Sequence, residues 1–101
     1  MTKARILLKI NELSSEKIFA LCDENLIGKT FENGDIQLVV SERFYKGDAL
    51  PEKEMLAYLE NAGNVSIVGE NAINFSLKAK IILKENIIRI NGIPHAIAVS
   101  C

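Results

Sequence analysis

The segment ENIIRINGIPHAIAVS, residues 85–100, predicts the element from which the rest of the fold can be built. It places Asn91-Gly92 between an isoleucine-rich run, residues 85–90, and a run of isoleucine, alanine and valine, residues 93–99. Asn-Gly is the strongest short-range signal for a two-residue β-hairpin, because a type I′ turn needs a positive φ at both central residues. Counting outward from this turn places Ile88 opposite His95. His95 is therefore expected on the apolar face of the ribbon with the isoleucines, and Arg89 on the other face.

Three upstream stretches also have the character of strands. Residues 4–10 (ARILLKI) and 17–22 (KIFALC) flank the polar turn NELSSE and predict an N-terminal hairpin. Residues 35–40 (DIQLVV) follow an Asn-Gly-Asp turn and predict a third strand. The short apolar stretch NVSIVG, residues 64–69, is expected to be extended as well.

Two segments have the spacing of amphipathic helices. The first is PEKEMLAYLENAG, residues 51–63, with Pro51 at the first helical position and Gly63 as a left-handed stop. The second covers about residues 70–81, where isoleucine and leucine recur at i, i+4 and i+8. Together these elements predict an α+β fold. Its largely antiparallel sheet contains the N-terminal hairpin, the third strand and the C-terminal hairpin, and two helices cover one face.

Length and composition exclude several classes of protein. The 101 residues predict a single domain over 1–101, and 49% apolar residues with a net charge of -1 are typical of a soluble globular protein. The sequence contains no basic tail or stripe, so strong non-specific binding to nucleic acid is not expected. It also contains no signal for DNA specificity. No apolar run is long enough to span a membrane. Two distant cysteines, Cys22 and Cys101, indicate reduced thiols and a cytoplasmic location.

The tripeptide Gly28-Lys29-Thr30 resembles the end of a phosphate-binding loop, but its context is wrong. In G-x-x-x-x-G-K-[ST] the first glycine would fall at Asp23, where Asp23 and Glu24 would repel a phosphate. A strand and not a helix is predicted to follow. The alternative is a short helical turn that Asp23 caps and Gly28 ends.

His95 is the only histidine, so any acid–base site must contain it. An enzyme or ligand site could combine Cys22, Asp23, Glu70 and His95 if the fold brings them together. The structural alternatives are a half-buried imidazole with one hydrogen bond and a buried thiol in the core. The sequence has no spacing typical of metal ligands and none that predicts a cofactor.

The segment SERFYKGD, residues 41–48, places two aromatic residues among basic ones. Aromatic rings among cations are how single-stranded RNA is stacked and held, although such rings also pack at the ends of strands. Six residues are predicted to form an RNA-binding surface: Lys29, Arg43, Tyr45, Lys46, Arg89 and His95. It requires the cations to converge on one face of the fold, with Tyr45 exposed among them.

Four stretches in this order, CDENLIGKTF, SERFYKGD, VSIVGENA and IRINGIPHA, resemble an archaeal family catalogued as domain of unknown function 424. The likeness spans about residues 17–96. The matching positions are Cys22, Asp23, Gly28, Lys29, Phe31, Phe44, Tyr45, Gly47, Val68, Gly69, Glu70, Gly92, Pro94, His95 and Ala96. The resemblance implies an archaeal cytoplasmic protein without established activity, and a loose association with translation and RNA.

Three functions follow from these observations. The first is an RNA- or ribosome-associated binding module linked to translation, whose partner would be RNA or the translation machinery. The second is a small enzyme or ligand-binding protein that uses Cys22, Asp23, Glu70 and His95. The third is a protein–protein adaptor or homodimer that pairs through an exposed strand edge such as AIAVS, residues 96–100. The sequence leaves the oligomeric state open.

Overall fold

The computed structural model describes residues 5–99, in which eight strands, three α-helices and two 3-10 turns occur. The strands are β1 (Ile6–Leu13), β2 (Glu16–Asp23), β3 (Thr30–Asn33), β4 (Ile36–Val39), β5 (Asp48–Ala49), β6 (Asn64–Val68), β7 (Ile88–Ile90) and β8 (Ile93–Val99). The helices are α1 (Glu42–Tyr45), α2 (Glu52–Leu59) and α3 (Glu70–Lys78), and the 3-10 turns are Glu24–Leu26 and Lys84–Asn86. Within residues 5–99, none of the helices has both the length and the apolar character needed to cross a membrane.

Six strands form one sheet in the order β5-β1-β2-β6-β8-β7. All neighbouring pairs are antiparallel except the central pair, β2 and β6, so the prediction of a largely antiparallel sheet is confirmed. A parallel pair needs a long connection between its strands, and the segment from β3 to α2 supplies it. Strand β6, the predicted extended stretch, lies in the middle of the sheet, and four of its five residues are buried.

The C-terminal hairpin forms with the predicted register. Ile90 pairs with Ile93 and Ile88 pairs with His95 across the turn. Asn91 and Gly92 have φ values of 51° and 82°, which are the positive angles that a type I′ turn requires. The predicted N-terminal hairpin is also confirmed, because β1 and β2 pair along their whole length.

Helices α2 and α3 cover one face of the sheet, as predicted; we call it the helical face. Its core contains apolar side chains from both helices and from the four central strands. These include Leu8, Phe19, Leu21, Met55, Leu59, Val65, Ile67, Ile73, Phe75 and Ala96.

The opposite face of the sheet has a cover that the sequence did not predict. The predicted third strand, residues 35–40, is not part of the main sheet: β4 pairs with β3 as a separate two-stranded hairpin. This hairpin and α1 pack on the sheet and bury a second core. Its buried members are Ala20, Cys22, Leu26, Leu38, Val40, Tyr45, Val68 and Ile90. The Gly34-Asp35 turn closes the hairpin locally, and the apolar side of β4 faces this second core.

Both helices are shorter than predicted. Helix α2 ends at Leu59, and Gly63 does not adopt a left-handed conformation, so its predicted role as helix stop is wrong. Helix α3 ends in a Schellman motif: Ile81 N–H donates to Ser76 O at 2.9 Å and Lys80 N–H donates to Leu77 O at 3.1 Å. Lys80 takes the left-handed position (φ 60°) that glycine usually occupies, so no glycine signals this end.

Candidate functional site

Asp23 is a structural residue that caps a distant helix. Its carboxylate oxygens accept hydrogen bonds from Asn71 N–H at 3.0 Å and Ala72 N–H at 2.8 Å. These are backbone donors in the first turn of α3, whose N-cap residue, Gly69, has no side chain to satisfy them. The prediction that Asp23 caps the turn directly after it is wrong, because that turn has no side-chain cap.

Gly69 provides the space that Asp23 occupies. A Cβ atom at position 69 would lie 2.4 Å from the Asp23 carboxyl carbon, and the backbone there has a φ of 108°. Only glycine meets both conditions without strain. The Cys22-Asp23 and Val68-Gly69-Glu70 motifs are therefore two parts of one structural junction, which we call the Asp23 junction.

The Cys22 thiol is part of this junction. It is fully buried, and its Sγ–H donates to the Asp23 carbonyl at 3.2 Å. Burial, together with the nearby Asp23 carboxylate, raises the pKa of Cys22 to about 12. Burial also raises the pKa of Asp23, against the lowering effect of its two backbone hydrogen bonds. A thiol in this environment stays protonated at neutral pH.

His95 does not complete the proposed catalytic set. It lies in the same row of the sheet as Cys22, with Val68 between them, so their Cα atoms are about 10 Å apart at ordinary strand spacing. Its Nδ1 is 2.9 Å from Ile67 O, which can only accept, so Nδ1 donates and Nε2 is left as the other polar atom of the ring. The half-buried imidazole with one hydrogen bond, the structural alternative, is confirmed.

Glu70, the fourth member of that set, forms a surface ion pair. Its carboxylate lies 2.9 Å from Arg89 Nη1, and both side chains are exposed. Within residues 5–99, no three His, Cys, Asp or Glu side chains are grouped so that they could hold a metal ion.

The cations of the predicted RNA surface do not form one patch with Tyr45. Arg89 lies on the helical face with Glu70, whereas Arg43 belongs to α1 on the opposite face. Lys29 is exposed before β3, and Lys46 pairs with Glu42 at 3.7 Å.

Tyr45 is buried, which contradicts the expected exposed ring. Its hydroxyl is 2.9 Å from Ser66 Oγ, and its ring packs edge-on against Phe44 with 4.9 Å between centroids. The aromatic residues of SERFYKGD therefore anchor α1 to the sheet, which is the structural alternative for this segment.

A cleft of about 410 Å³ lies beside α1, on the face of the sheet opposite α2 and α3. Ile18, Phe44 and Ile97 give it apolar walls, and the buried Tyr45–Ser66 hydroxyl pair lies in its floor. It also contains His95, Glu16 and Asn64. Glu16, Asn64 and Ser66 have no sequence signal, because they come from strands that only the fold brings together.

Strand β8 is paired on only one side over its last four residues. β7 pairs only with Ile93–His95, so Ala96–Val99 pair only with β6, and the 3-10 turn Lys84–Asn86 lies beside β8 without pairing with it. Pro94 O accepts from Gly69 N–H just beyond β6, so even-numbered residues of β8 direct their backbone groups toward β6. The alternation of a strand then directs the N–H and C=O of Ile97 and Val99 outward. Within the described chain, neither residue has a hydrogen-bond partner on that side.

Two apolar side chains on this edge, those of Ile97 and Val99, are exposed. Ile97 is 59% exposed and Val99 66% exposed. The sequence-based adaptor hypothesis named this edge, AIAVS; its last residue, Ser100, lies outside the described residues. We call the segment Ala96–Val99 the β8 edge.

A groove of about 460 Å³ borders the β8 edge on the helical face. One side consists of Ile97, Ala98 and Val99, and the other includes Lys80 and Ile81, which follow α3. The edge is thus flanked by a hollow on each face of the sheet, the cleft on one side and the groove on the other.

Comparisons with known proteins agree with this fold. The structure is similar to the crystal structure of an uncharacterized conserved protein from Methanopyrus kandleri, with a TM-score of 0.77 and 26% sequence identity over 93% of this chain and 90% of that chain. Among curated proteins, none matches. A family model described as "Protein of unknown function (DUF424)" matches residues 12–100. Because this match covers nearly the whole chain and agrees with the resemblance seen in the sequence, the chain belongs to the DUF424 family.

Proposed function

We propose that this chain is a protein-interaction module that adds an extended segment of a partner protein to the β8 edge as a further strand. The observation that carries the proposal is the outward backbone of Ile97 and Val99, flanked by their exposed apolar side chains. Addition of a peptide strand to a sheet edge is a common mode of recognition, in which backbone hydrogen bonds supply affinity.

The composition of the edge supports binding. Exposed strand edges are normally protected by charged residues, proline, bulges or a covering segment, because an open edge pairs with other chains. Ala96–Val99 contains no charged residue and no proline. Each backbone hydrogen bond to a docked strand contributes about 0.5–1.5 kcal/mol net, and burial of the two exposed apolar side chains adds to this. These gains offset the cost of ordering the docked segment.

The hollows beside the edge support selectivity. Side chains of an added strand alternate between the two faces of the sheet. Those on the helical face would lie next to the groove, and those on the other face next to Ile97 and the cleft. An alternating apolar segment fits both.

A separate partner fits the edge better than a second copy of this chain. Self-pairing of the β8 edge would join only Ala96–Val99 of each copy and would leave the groove beside Ala98 without an apolar side chain. A partner segment that also fills the groove buries more apolar surface for the same four backbone groups.

The association with RNA or translation remains a prediction. The net charge of -1 and the pairing of Arg89 with Glu70 favour a protein partner over a polyanion. A ribosome-associated role would then be mediated by a protein segment, in the cytoplasm that the reduced cysteines predict.

Peptide selection on the immobilised protein tests the proposal. A phage library of random twelve-residue peptides is expected to yield binders with alternating apolar residues, and their affinities are then measured by fluorescence anisotropy. Ile97→Pro removes one outward N–H while leaving the β6 ladder intact, and should abolish binding. Ile10→Pro is the matched control. Leu13 pairs with Glu16 across the β1–β2 turn, and the alternation of the strand then directs the N–H of Ile10 away from β2, toward the other end of the strand order.

Two results would refute this function: the selection yields no binder, or the selected peptides bind Ile97→Pro as well as the wild type. Light scattering of the free protein shows whether a second copy of the chain, and not a partner segment, occupies the edge. A dimer that Ile97→Pro converts to monomer would show that a second copy occupies the edge. Retention of the chain by single-stranded or structured RNA, with the usual fall at higher salt, would favour the RNA alternative instead.

A further inference from the structure

We infer that the groove on the helical face, next to the β8 edge, receives one bulky apolar side chain of the docked segment and thereby selects the partner. This inference rests on the proposed function. It defines the chemistry of the ligand: an extended segment with leucine, isoleucine or phenylalanine at the position opposite Ala98.

The register of an added strand brings this position to the groove. In antiparallel docking, Ile97 and Val99 form the hydrogen-bonded pairs, so the ligand residue opposite Ala98 forms a non-hydrogen-bonded pair. Side chains in such pairs are closest together, with Cα atoms about 4.5 Å apart. Ala98 points to the helical face, where it packs beside the main core. The side chain opposite it enters the groove directly.

Small side chains on three different elements create the space in the groove. Ala62 follows α2, Ala79 follows α3, and Ala98 lies in β8. Each is partly buried, and larger apolar residues surround them, among them Ile81, Leu59 and Val65. The polar side chains of Glu60, Lys80 and Asn86 also line the groove. The volume of about 460 Å³ is in the range of ligand-binding pockets and can accept a large side chain.

The charges at the groove favour an uncharged anchor. Glu60 and Lys80, one of each sign, border it, so no net charge attracts an acidic or a basic ligand side chain. A charged anchor would also lose hydration against the alanine and isoleucine walls. An apolar side chain has no such cost and gains from burial.

Filling the groove from the protein side tests the inference. Ala98→Leu occupies the space without changing any backbone group of the edge, and Ala49→Leu is the control at an exposed position in β5. Two synthetic versions of a selected peptide are compared by fluorescence anisotropy, one with leucine and one with alanine opposite Ala98. In the wild type the alanine version should bind at least about tenfold more weakly. In Ala98→Leu the leucine version should lose this advantage, while Ala49→Leu should keep it.

Melting curves establish that each variant is folded. If Ala98→Leu does not fold, Ala79→Leu fills the groove from the opposite wall and replaces it in the test. Equal binding of the two peptides by the wild type would overturn the inference. If Ile97→Pro still abolishes binding in that case, the proposed edge function stands. Loss of both effects would refute both.

Discussion

The Asp23 junction and the β8 edge each differ from what their residue types suggest, and they differ in opposite directions. The junction contains a cysteine, two carboxylates and a glycine, which are residue types that often form active sites. Its thiol is buried, and the Asp23 carboxylate is used by two backbone donors. The β8 edge contains only alanine, isoleucine and valine, which usually fill cores, yet the Ile97 and Val99 side chains are exposed and their backbone groups point away from β6. Residue type alone therefore does not predict which side chains of these two regions are accessible.

The largest expected effect is at the centre of the junction. Gly69→Ala forces a Cβ atom against the Asp23 carboxyl carbon at 2.4 Å and leaves alanine at a φ of 108°, so we expect a loss of about 3 kcal/mol or more. Urea unfolding followed by circular dichroism measures it. Gly34→Ala is the control, because Gly34 has a φ of 64° with open space around it and should lose only about 1 kcal/mol. Equal losses would mean that crowding by Asp23 does not matter.

Removal of the capping carboxylate should have the next largest effect. Asp23→Ala takes the acceptor away from the N–H groups of Asn71 and Ala72, and should lower the free energy of unfolding by about 2–3 kcal/mol. Asp23→Asn keeps one acceptor oxygen in place and should lose about half as much. The same urea titration serves for both. A change below about 0.5 kcal/mol for Asp23→Ala would show that the cap is not structural.

The buried thiol makes the stability of the folded protein depend on pH in the alkaline range. The folded pKa of Cys22, about 12, lies above its ordinary value of 9.0, so the folded state holds the proton more tightly than the unfolded state. The stability from this difference is complete below pH 9 and decreases as the pH rises from 9 toward 12. The free energy of unfolding decreases by at most about 1.4 kcal/mol for each pH unit in this range. Cys22→Ala should show a shallower decline in urea titrations at pH 8, 9.5 and 10.5.

Thiol labelling is an independent test of the same burial. In a Cys101→Ser background, Cys22 should react with a disulfide reagent at pH 8 only about as fast as the chain unfolds, because little thiolate is present and the sulfur is inaccessible. Labelling at the rate of a free cysteine peptide would contradict the structural assignment.

The smallest effect on stability is expected at the β8 edge. Ile97→Lys and Val99→Lys replace exposed side chains and should change the free energy of unfolding by no more than about 0.5 kcal/mol. A lysine there protects an open edge, so binding of the selected peptides should be lost while the melting temperature stays nearly the same. A loss above about 1 kcal/mol would show that these side chains belong to the core, and the contrast with the junction would disappear.

Local signals in the sequence predict the hairpins well. The Asn91-Gly92 turn requires positive φ at both residues, and this requirement sets the register that places His95 opposite Ile88. The two helices are also predictable from apolar spacing. The end of α3 is not, because Ile81 continues that spacing although it already folds back in the Schellman motif.

The candidate site is predictable only in part. The β8 edge follows from a strand without charges at the end of the sequence, so the adaptor hypothesis could name it. The cap by Asp23 could not be predicted, because its donors lie 48 and 49 residues away. Nor could the groove, since Ala62, Ala79 and Ala98 come together only when three elements pack, and single alanines carry no signal.

The parallel pairing of β2 with β6 has a consequence for the order in which the chain folds. Each terminal hairpin closes through a two-residue turn. Ile18, in contrast, pairs with Asn64, which lies 46 positions further along the chain. Closing the longer loop loses more chain entropy, so the two ribbons can form quickly and the middle of the sheet joins them in the slow step. Mutations in β6 should therefore slow refolding more than mutations in the Asn91-Gly92 turn do.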